Sequence, residues 1–194
     1  TSCARREFPL RLYLPTGRGA RAAWALNGNS LEANGISKEV EAMSAGASNP
    51  HCFIPPAQVI EVIAALKELG HTAYVAGGAV RDMVMGEPSP EDWDVATSAS
   101  PEQVMAAFDQ VVPSGAAHGT VTVLQSGMSI EVTTYRVDGP YPDGRHPEYV
   151  RFVDAIQDDL ARRDFTINAM AFDPIAGELI DPYCGRDDIQ AGAI

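Results

Sequence analysis

The chain has 194 residues, of which 45% are hydrophobic and 21% are charged, so it can form one domain with a hydrophobic core. Its 14 Lys and Arg residues against 26 Asp and Glu residues give a net charge of −12, which disfavours a module that binds nucleic acid by itself, because such binding depends on basic side chains. No uninterrupted apolar run approaches about 18 residues, the length of a transmembrane helix, so we expect no membrane partner.

Residues 1–50 differ in composition from the rest of the chain. They carry six basic against four acidic residues and a Gly, Ala, Asn and Ser-rich stretch after Leu26, whereas residues 51–194 carry eight basic against 22 acidic residues. We predict a poorly ordered extension over 1–50 and one folded domain over 51–194. A cytoplasmic location is expected, and the early arginines leave an organelle transit peptide as the alternative.

The first predicted elements of the domain are a helix from Pro56 to Leu69 and a short apolar strand over 72–76. Gly77 and Gly78 then form a tight turn before a second helix. Adjacent glycines let the backbone approach a ligand closely, and the following helix N-terminus attracts phosphate, to which Arg81 adds a positive charge. The competing interpretation is a plain turn in which Arg81 pairs with its neighbour Asp82. Neither the Rossmann fingerprint nor a P-loop is present.

A pair of carboxylates follows at Asp92 and Asp94, separated by Trp93. Side chains on a strand alternate between its faces, so the two carboxylates point the same way and the tryptophan points into the core. Mg²⁺ is typically held by one or two protein carboxylates together with substrate phosphates. An isolated acidic pair on an exposed strand end is as a rule merely solvated, so this pair gains its meaning from the Gly77-Gly78 turn before it.

The middle of the chain predicts a helix, a short strand and a hairpin. Ser100 and Pro101 begin the helix, which directs Val104, Met105 and Phe108 inward, and Val111-Val112 form the short strand. The alternating stretches 119–124 and 129–136 predict the hairpin. Glu131 on its second strand is either a third catalytic carboxylate or a structural ion-pair partner.

The last part of the chain combines a loop with a polar cluster. Residues 137–148 are rich in Gly, Pro and Asp, which predicts a mobile loop. Over 160–170 we predict a helix opened by Arg162, Arg163 and Asp164, with core positions at Phe165, Ile167, Met170 and Ala171. Arg163, Asp164 and Asn168 can reach phosphate oxygens and sugar hydroxyls, and a surface ion-pair cluster is the alternative. The predicted fold class is α+β, a mixed sheet flanked by helices.

In this order the motifs resemble the head domain of the class II tRNA nucleotidyltransferase and poly(A) polymerase family, within the polymerase-beta-like nucleotidyltransferase superfamily. The resemblance spans residues 54–194 and rests on four segments: 77–82, 92–94, 131–136 and 162–170. It implies that Gly77, Gly78 and Arg81 lie at the phosphates of the incoming nucleotide and that Asp92 and Asp94 hold Mg²⁺. It also implies that Arg163 with Asp164 surrounds the ribose.

The resemblance further implies an RNA substrate. Residues 117–123 look like the CCA-adding branch, so we expect the tRNA 3′ end as acceptor and CTP and ATP as donors, and the loop over 137–148 favours CCA or A addition over CC addition. The expected reaction is a two-metal, in-line attack of the 3′-hydroxyl on the α-phosphate, with release of pyrophosphate. The alternatives are a poly(A) polymerase, a CC- or A-adding tRNA enzyme, and a non-catalytic nucleotide-binding module.

One family motif, the nucleotide-selecting Glu-Asp-x-x-Arg, does not occur within residues 1–194. We therefore expect that base selection, together with the neck, body and tail that grip tRNA, is supplied by a region outside this sequence or by a partner chain.

Overall fold

A computed structural model describes residues 55–87, 90, 92–140 and 148–193. The predicted extension over 1–50 and residues 141–147 of the predicted mobile loop lie outside the described residues, so both expectations stay predictions.

The described domain contains five α-helices, two short 3₁₀ segments and nine strands. The helices are α1 Ala57–Glu68, α2 Gly78–Met85, α3 Pro101–Ala107, α4 Ile156–Ala161 and α5 Gly185–Ala191, and the 3₁₀ segments are Ala116–His118 and Thr166–Asn168. The strands are β1 Ala73–Ala76, β2 Asp94–Thr97, β3 Val111–Gly115, β4 Thr120–Gln125, β5 Met128–Thr134, β6 Arg136–Asp138, β7 Val150–Phe152, β8 Ala171–Asp173 and β9 Glu178–Ile180.

Seven strands form one mixed sheet in the order β3-β4-β5-β2-β1-β8-β9, and β6 and β7 form a separate antiparallel ribbon. Within the large sheet β2 and β5 run parallel, whereas the other pairs are antiparallel. The crossover through α3, β3 and β4 allows two parallel strands to lie side by side. The predicted α+β class, with a mixed sheet flanked by helices, is confirmed.

The two faces of the sheet are covered by different helices. Alternate residues of the central strands point to opposite faces, so Val75 and Val95 pack with α1, α2 and α3, and Ala76 and Ala96 pack with α4. Because Asp94 stands two residues before Ala96, it shares the α4 face. Residues just after α4 are therefore brought towards Asp94.

The predicted helix over 160–170 is wrong. The structure ends α4 at Ala161, with Arg162 as its C-cap, and continues through a non-helical turn to the 3₁₀ segment. The helix lies earlier because Asp158 and Asp159 occupy its first turn, where carboxylates are favoured by the helix dipole, while Arg162 lies at its end. The two arginines therefore follow a helix instead of opening one.

Two core predictions and one loop boundary are also wrong. Phe165 is 47% exposed because it lies in the turn after α4, and Met105 is 37% exposed because the short α3 buries only the face of Pro101 and Val104. The predicted loop begins later than Val137, because β6 pairs with β7 through residue Asp138. Met170 and Ala171 are fully buried, as predicted. Among the described helices, none has the length and apolar character needed to cross a membrane.

Candidate active site

The two aspartates flank a buried tryptophan at the start of β2. Trp93 is 3% exposed and packs in the core with Val95, whereas Asp92 and Asp94 are exposed. The expected alternation of faces is present, although Asp92 precedes the strand itself. Burial of the tryptophan fixes the direction of both carboxylates, because turning the strand so that either aspartate points inward would expose Trp93.

Glu131 lies on the neighbouring strand directly beside Asp94. The parallel pairing of β2 and β5 sets the two residues opposite each other, and the Glu131 backbone N–H donates to the Trp93 carbonyl at 3.1 Å. Residues in register point to the same face of a sheet, so the predicted convergence of the carboxylates occurs. The pairing joins strands that are distant in sequence.

The electrostatics of Asp94 reflect this crowding. Desolvation of the Asp94 carboxyl by the groups around it raises its pKa above the usual value, and the charges of Glu131 and Asp92 raise the pKa further, whereas the Arg163 guanidinium lowers it. A raised carboxyl pKa means that the ionised form lacks sufficient positive compensation. A bound cation would supply that compensation.

The donor set fits a cation that brings its own further ligands. Within the described part of the chain, no group of three or more His, Cys, Asp and Glu side chains is arranged to hold a metal ion. Two carboxylates, Asp92 and Asp94, suit Mg²⁺ because this ion keeps several waters and completes its coordination with substrate phosphates. The Glu131 carboxylate contributes charge beside the pair.

Gly77 lies between Asp94 and the arginine that follows α4. It caps α2 with φ 74° and ψ −136°, and its N–H donates to the Met170 carbonyl at 3.3 Å. A β carbon at this position would lie 2.8 Å from Arg163 Nη1 and 3.6 Å from Asp94 Oδ2. Only glycine fits both the backbone angles and the space. The turn therefore delivers the N-terminus of α2, beginning at Gly78, to the carboxylates.

Arg81 connects α2 to the second 3₁₀ segment. Its Nε donates to Asp82 Oδ1 at 2.9 Å, and its Nη1 donates to Asn168 Oδ1 at 2.9 Å. The pairing with Asp82 that the competing interpretation expected is therefore present, but the same guanidinium also reaches Asn168. The Asn168 side chain is consequently held in place by Arg81.

Arg163 is held by long contacts and retains unused donors. Its Nη2 donates to Asp159 Oδ2 at 3.4 Å and its Nη1 to the Asn168 carbonyl at 3.5 Å. Its buried Nε has no hydrogen-bond partner among the described residues. Bonds of this length are at the weak end of the range, and a buried unpaired donor indicates a missing partner. Arg163 can thus donate to a ligand lying near Gly77 and Asp94.

The structure does not bring every predicted residue together, and it adds one. Asp164 is exposed and makes no hydrogen bond or ion pair with the described residues. The candidate site therefore includes Arg163 and Asn168 but not the Asp164 carboxylate. Asp159, which the sequence did not single out, is fully buried and contacts both Arg162 and Arg163. Its spacing of three and four residues before the arginines on a helix is the signal that would have identified it.

A cleft of about 390 Å³ lies elsewhere, between the end of α3 and the β4–β5 turn, where Phe108 and Leu124 contribute to its walls. It contains none of the predicted site residues.

Comparisons with known proteins agree with this geometry. Residues 73–194 match the family described as the poly A polymerase head domain. The chain is 50% identical over 137 residues to the CCA-adding enzyme of Geobacillus stearothermophilus, covering 70% of this chain and 33% of that protein. It therefore spans about a third of the length of the curated relatives it matches.

Solved structures of CCA-adding enzymes and tRNA nucleotidyltransferases are also similar to this chain. The crystal structure of the Bacillus stearothermophilus CCA-adding enzyme in complex with CTP matches with a TM-score of 0.62 and 44% identity, covering 69% of this chain and 31% of that one. A tRNA nucleotidyltransferase complexed with a primer tRNA and an incoming ATP analogue matches with a TM-score of 0.52 and 29% identity, covering 66% of this chain and 36% of that one.

Proposed function

This chain belongs to the poly(A) polymerase head domain family, and from that premise we propose that it is the catalytic head of an enzyme that adds C and A to the 3′ end of tRNA. The head is proposed to extend over residues 51–194. The observation that carries the proposal is that Asp94 and Arg163 meet at Gly77, with Glu131 beside Asp94 on the neighbouring strand. That arrangement offers negative charge for a cation and spare donors for a nucleotide side by side.

Each residue has a role that follows from its surroundings. Asp92 and Asp94 would hold Mg²⁺, which when bound supplies Lewis-acid stabilisation of the charge that develops on the phosphates. Glu131 adds negative charge beside them and is available to accept the proton of the attacking hydroxyl. The acceptor 3′-hydroxyl attacks the α-phosphate of the nucleotide, the bond to the β-phosphate breaks, and pyrophosphate leaves.

The nucleotide is bound by groups on the other side of the carboxylates. The backbone of Gly77 and Gly78 approaches the phosphates, where the N-terminus of α2 and Arg81 provide positive charge. Arg163 donates to the sugar from its position beside Gly77, and Asn168, held by Arg81, lies beside it. Asp164 lies next to Arg163 in the chain and would contact the ribose only after its side chain turns inward.

CTP, ATP and tRNA are proposed as substrates because related structures are named as complexes with CTP and with tRNA and an ATP analogue. The head itself is acidic, so it is poorly suited to grip RNA. Since the chain spans about a third of its relatives' length, we assign base selection and most tRNA binding to a further region or a partner chain.

A poly(A) polymerase is the second candidate, because the family description itself names that activity. The two candidates share the head chemistry and differ in the acceptor RNA and in the length of the product.

Incorporation of labelled CTP and ATP into tRNA lacking its 3′ CCA tests the proposal. We expect incorporation that disappears with EDTA, returns with Mg²⁺ and is abolished by Asp94→Asn. Asp109→Asn is the matched control, because Asp109 is an exposed aspartate of the α3–β3 connection outside the site. Equal incorporation by Asp94→Asn and Asp109→Asn would contradict the assignment of the carboxylates.

A further inference from the structure

A buried carboxylate stands behind the proposed nucleotide site. Asp159 on α4 is 0% exposed. Its Oδ1 accepts from Arg162 Nε at 3.0 Å and from the Arg136 backbone N–H at 3.3 Å, and its Oδ2 accepts from Arg163 Nη2 at 3.4 Å. One carboxylate thus connects α4, strand β6 and the arginine that faces Gly77.

The two arginines are held to different degrees. Arg162 also donates from Nη1 to Asp138 Oδ2 at 3.1 Å, so two carboxylates hold it at normal hydrogen-bond distances. Arg163 has only the longer bonds to Asp159 and the Asn168 carbonyl, and its Nε is unpaired among the described residues. Arg162 therefore completes the buried network, whereas Arg163 is held by one carboxylate oxygen and one carbonyl oxygen at long distances and keeps donors for another partner.

We propose that Asp159 is a positioning residue that directs the Arg163 guanidinium at the nucleotide sugar. The inference rests on the proposed function and deepens it, because it identifies what sets sugar selectivity at that site. Asp159 does not reach the substrate and acts through Arg163 alone. Without its charge, Arg163 turns away from Gly77 towards solvent.

A purely structural role for Asp159 makes a different prediction. A buried carboxylate among arginines also stabilises the junction of α4 with β6, and loss of that junction lowers stability without changing selectivity. Arg162 serves as the matched control, because it contacts the same carboxylate but points into the network and not into the site. A structural role makes Asp159→Asn and Arg162→Gln equivalent, whereas a positioning role separates them.

The test measures kcat/KM for ATP and for dATP, with Mg²⁺ and tRNA lacking its terminal adenosine. For Asp159→Asn we expect the preference for ATP over dATP to fall about tenfold, the factor typical of one charge-assisted hydrogen bond. Arg163→Ala should lower the ATP preference by the same factor. The double variant of Asp159→Asn and Arg163→Ala should lower the preference no further, because both changes remove the same interaction. Arg162→Gln should keep the wild-type ratio. Equal ratios for Asp159→Asn and the wild type would overturn the inference.

A second measurement does not depend on activity. In nucleotide-free protein, the NMR signals of the Arg163 guanidinium, assigned with Arg163→Ala, report whether its rotation is restrained. We expect restrained rotation in the wild type and free rotation in Asp159→Asn. If the wild type neither adds nucleotide nor binds ATP or CTP with Mg²⁺ but shows this change, the proposed function fails and the restraint of Arg163 by Asp159 stands. Free rotation in the wild type overturns the positioning role whatever the activity.

A variant that keeps the negative charge allows the proposal to be tested even if Asp159→Asn does not fold. If Asp159→Asn does not fold, Asp159→Glu retains the carboxylate but moves it by one methylene, so the guanidinium should shift and the ATP preference should fall less than in Arg163→Ala. An unchanged Arg163 signal together with an unchanged preference in Asp159→Glu would contradict the inference.

Discussion

Replacing Gly77 by alanine places a methyl group between the carboxylates and the arginine of the candidate site. The new β carbon would lie 2.8 Å from Arg163 Nη1, closer than side-chain carbons approach other atoms, and 3.6 Å from Asp94 Oδ2, which is ordinary contact. The carboxylate can therefore stay in place, whereas the flexible end of Arg163 must move. The change thus removes the arginine from the site and leaves the proposed metal ligands where they are.

The cost of Gly77→Ala has two separable parts. A non-glycine residue with φ 74° and ψ −136° is strained by about 1–3 kcal/mol, and a domain of this size loses about 2–4 °C in Tm for each kcal/mol. Displacement of Arg163 removes a charge-assisted hydrogen bond to the nucleotide, worth about 1.5–3 kcal/mol. That energy corresponds to a fall of about tenfold or more in kcat/KM.

Gly70→Ala is the matched control for the backbone part. Gly70 has φ 88°, but a β carbon there has nothing within 4 Å. Both alanine variants should lower Tm, measured by thermal unfolding, by several degrees, and only Gly77→Ala should lower nucleotide incorporation and narrow the preference for ATP over dATP. A Gly77→Ala protein with wild-type incorporation and selectivity would refute the role assigned to Arg163.

Three further predictions concern other parts of the domain. Asp94→Asn should reduce turnover at least about a thousandfold, because the metal contributes several kcal/mol. The pKa of the Asp94 carboxyl is raised in the folded state, so the wild type loses stability as the pH rises through that pKa. Urea unfolding without metal should therefore show Asp94→Asn to be more stable than the wild type at pH 7, with the smallest difference in the free energy of unfolding near pH 4. A difference that grows towards pH 4 would contradict the direction of the pKa shift. Gly185→Ala should lower stability by about 1–3 kcal/mol or more in the same assay, because its β carbon would lie 2.2 Å from the Thr166 carbonyl oxygen, and an unchanged value would contradict that packing. Tyr135→Phe, which removes a buried hydroxyl 3.0 Å from Thr72 Oγ1, should lower stability by about 1 kcal/mol and leave the ATP preference unchanged, so a changed preference would contradict its assignment to the core.

Local patterns were sufficient to predict the carboxylate strand and the glycine turn. The alternation of Asp92, Trp93 and Asp94 follows from the two-residue period of a strand, and a buried tryptophan holds it in register. Gly77 was predicted to allow close approach of a ligand, and its positive φ and the lack of space for a β carbon agree with that reason. Both features depend only on a few consecutive residues, so they can be predicted from the local sequence.

Long-range contacts account for what the sequence did not predict. The buried carboxylate of Asp159 depends on Arg136, more than twenty residues earlier, and on the burial of α4 against the sheet. The predicted helix over 160–170 begins about one turn later than α4, because the prediction sets Arg162 and Arg163 at a helix start, whereas basic residues suit a helix end. The register of Asp94 with Glu131 likewise comes from a crossover between parallel strands, which no local period encodes.

The intact mass of tRNA lacking its 3′ CCA, measured after incubation with the chain, Mg²⁺, CTP and ATP, tests whether this head transfers C and A to tRNA. We expect the mass increase of a defined C and A addition, and we expect that increase to be lost with Asp94→Asn. A long ladder of adenosine additions would assign the chain to the poly(A) polymerase alternative. An unchanged mass, together with no Mg²⁺-dependent binding of CTP or ATP, would contradict the claim.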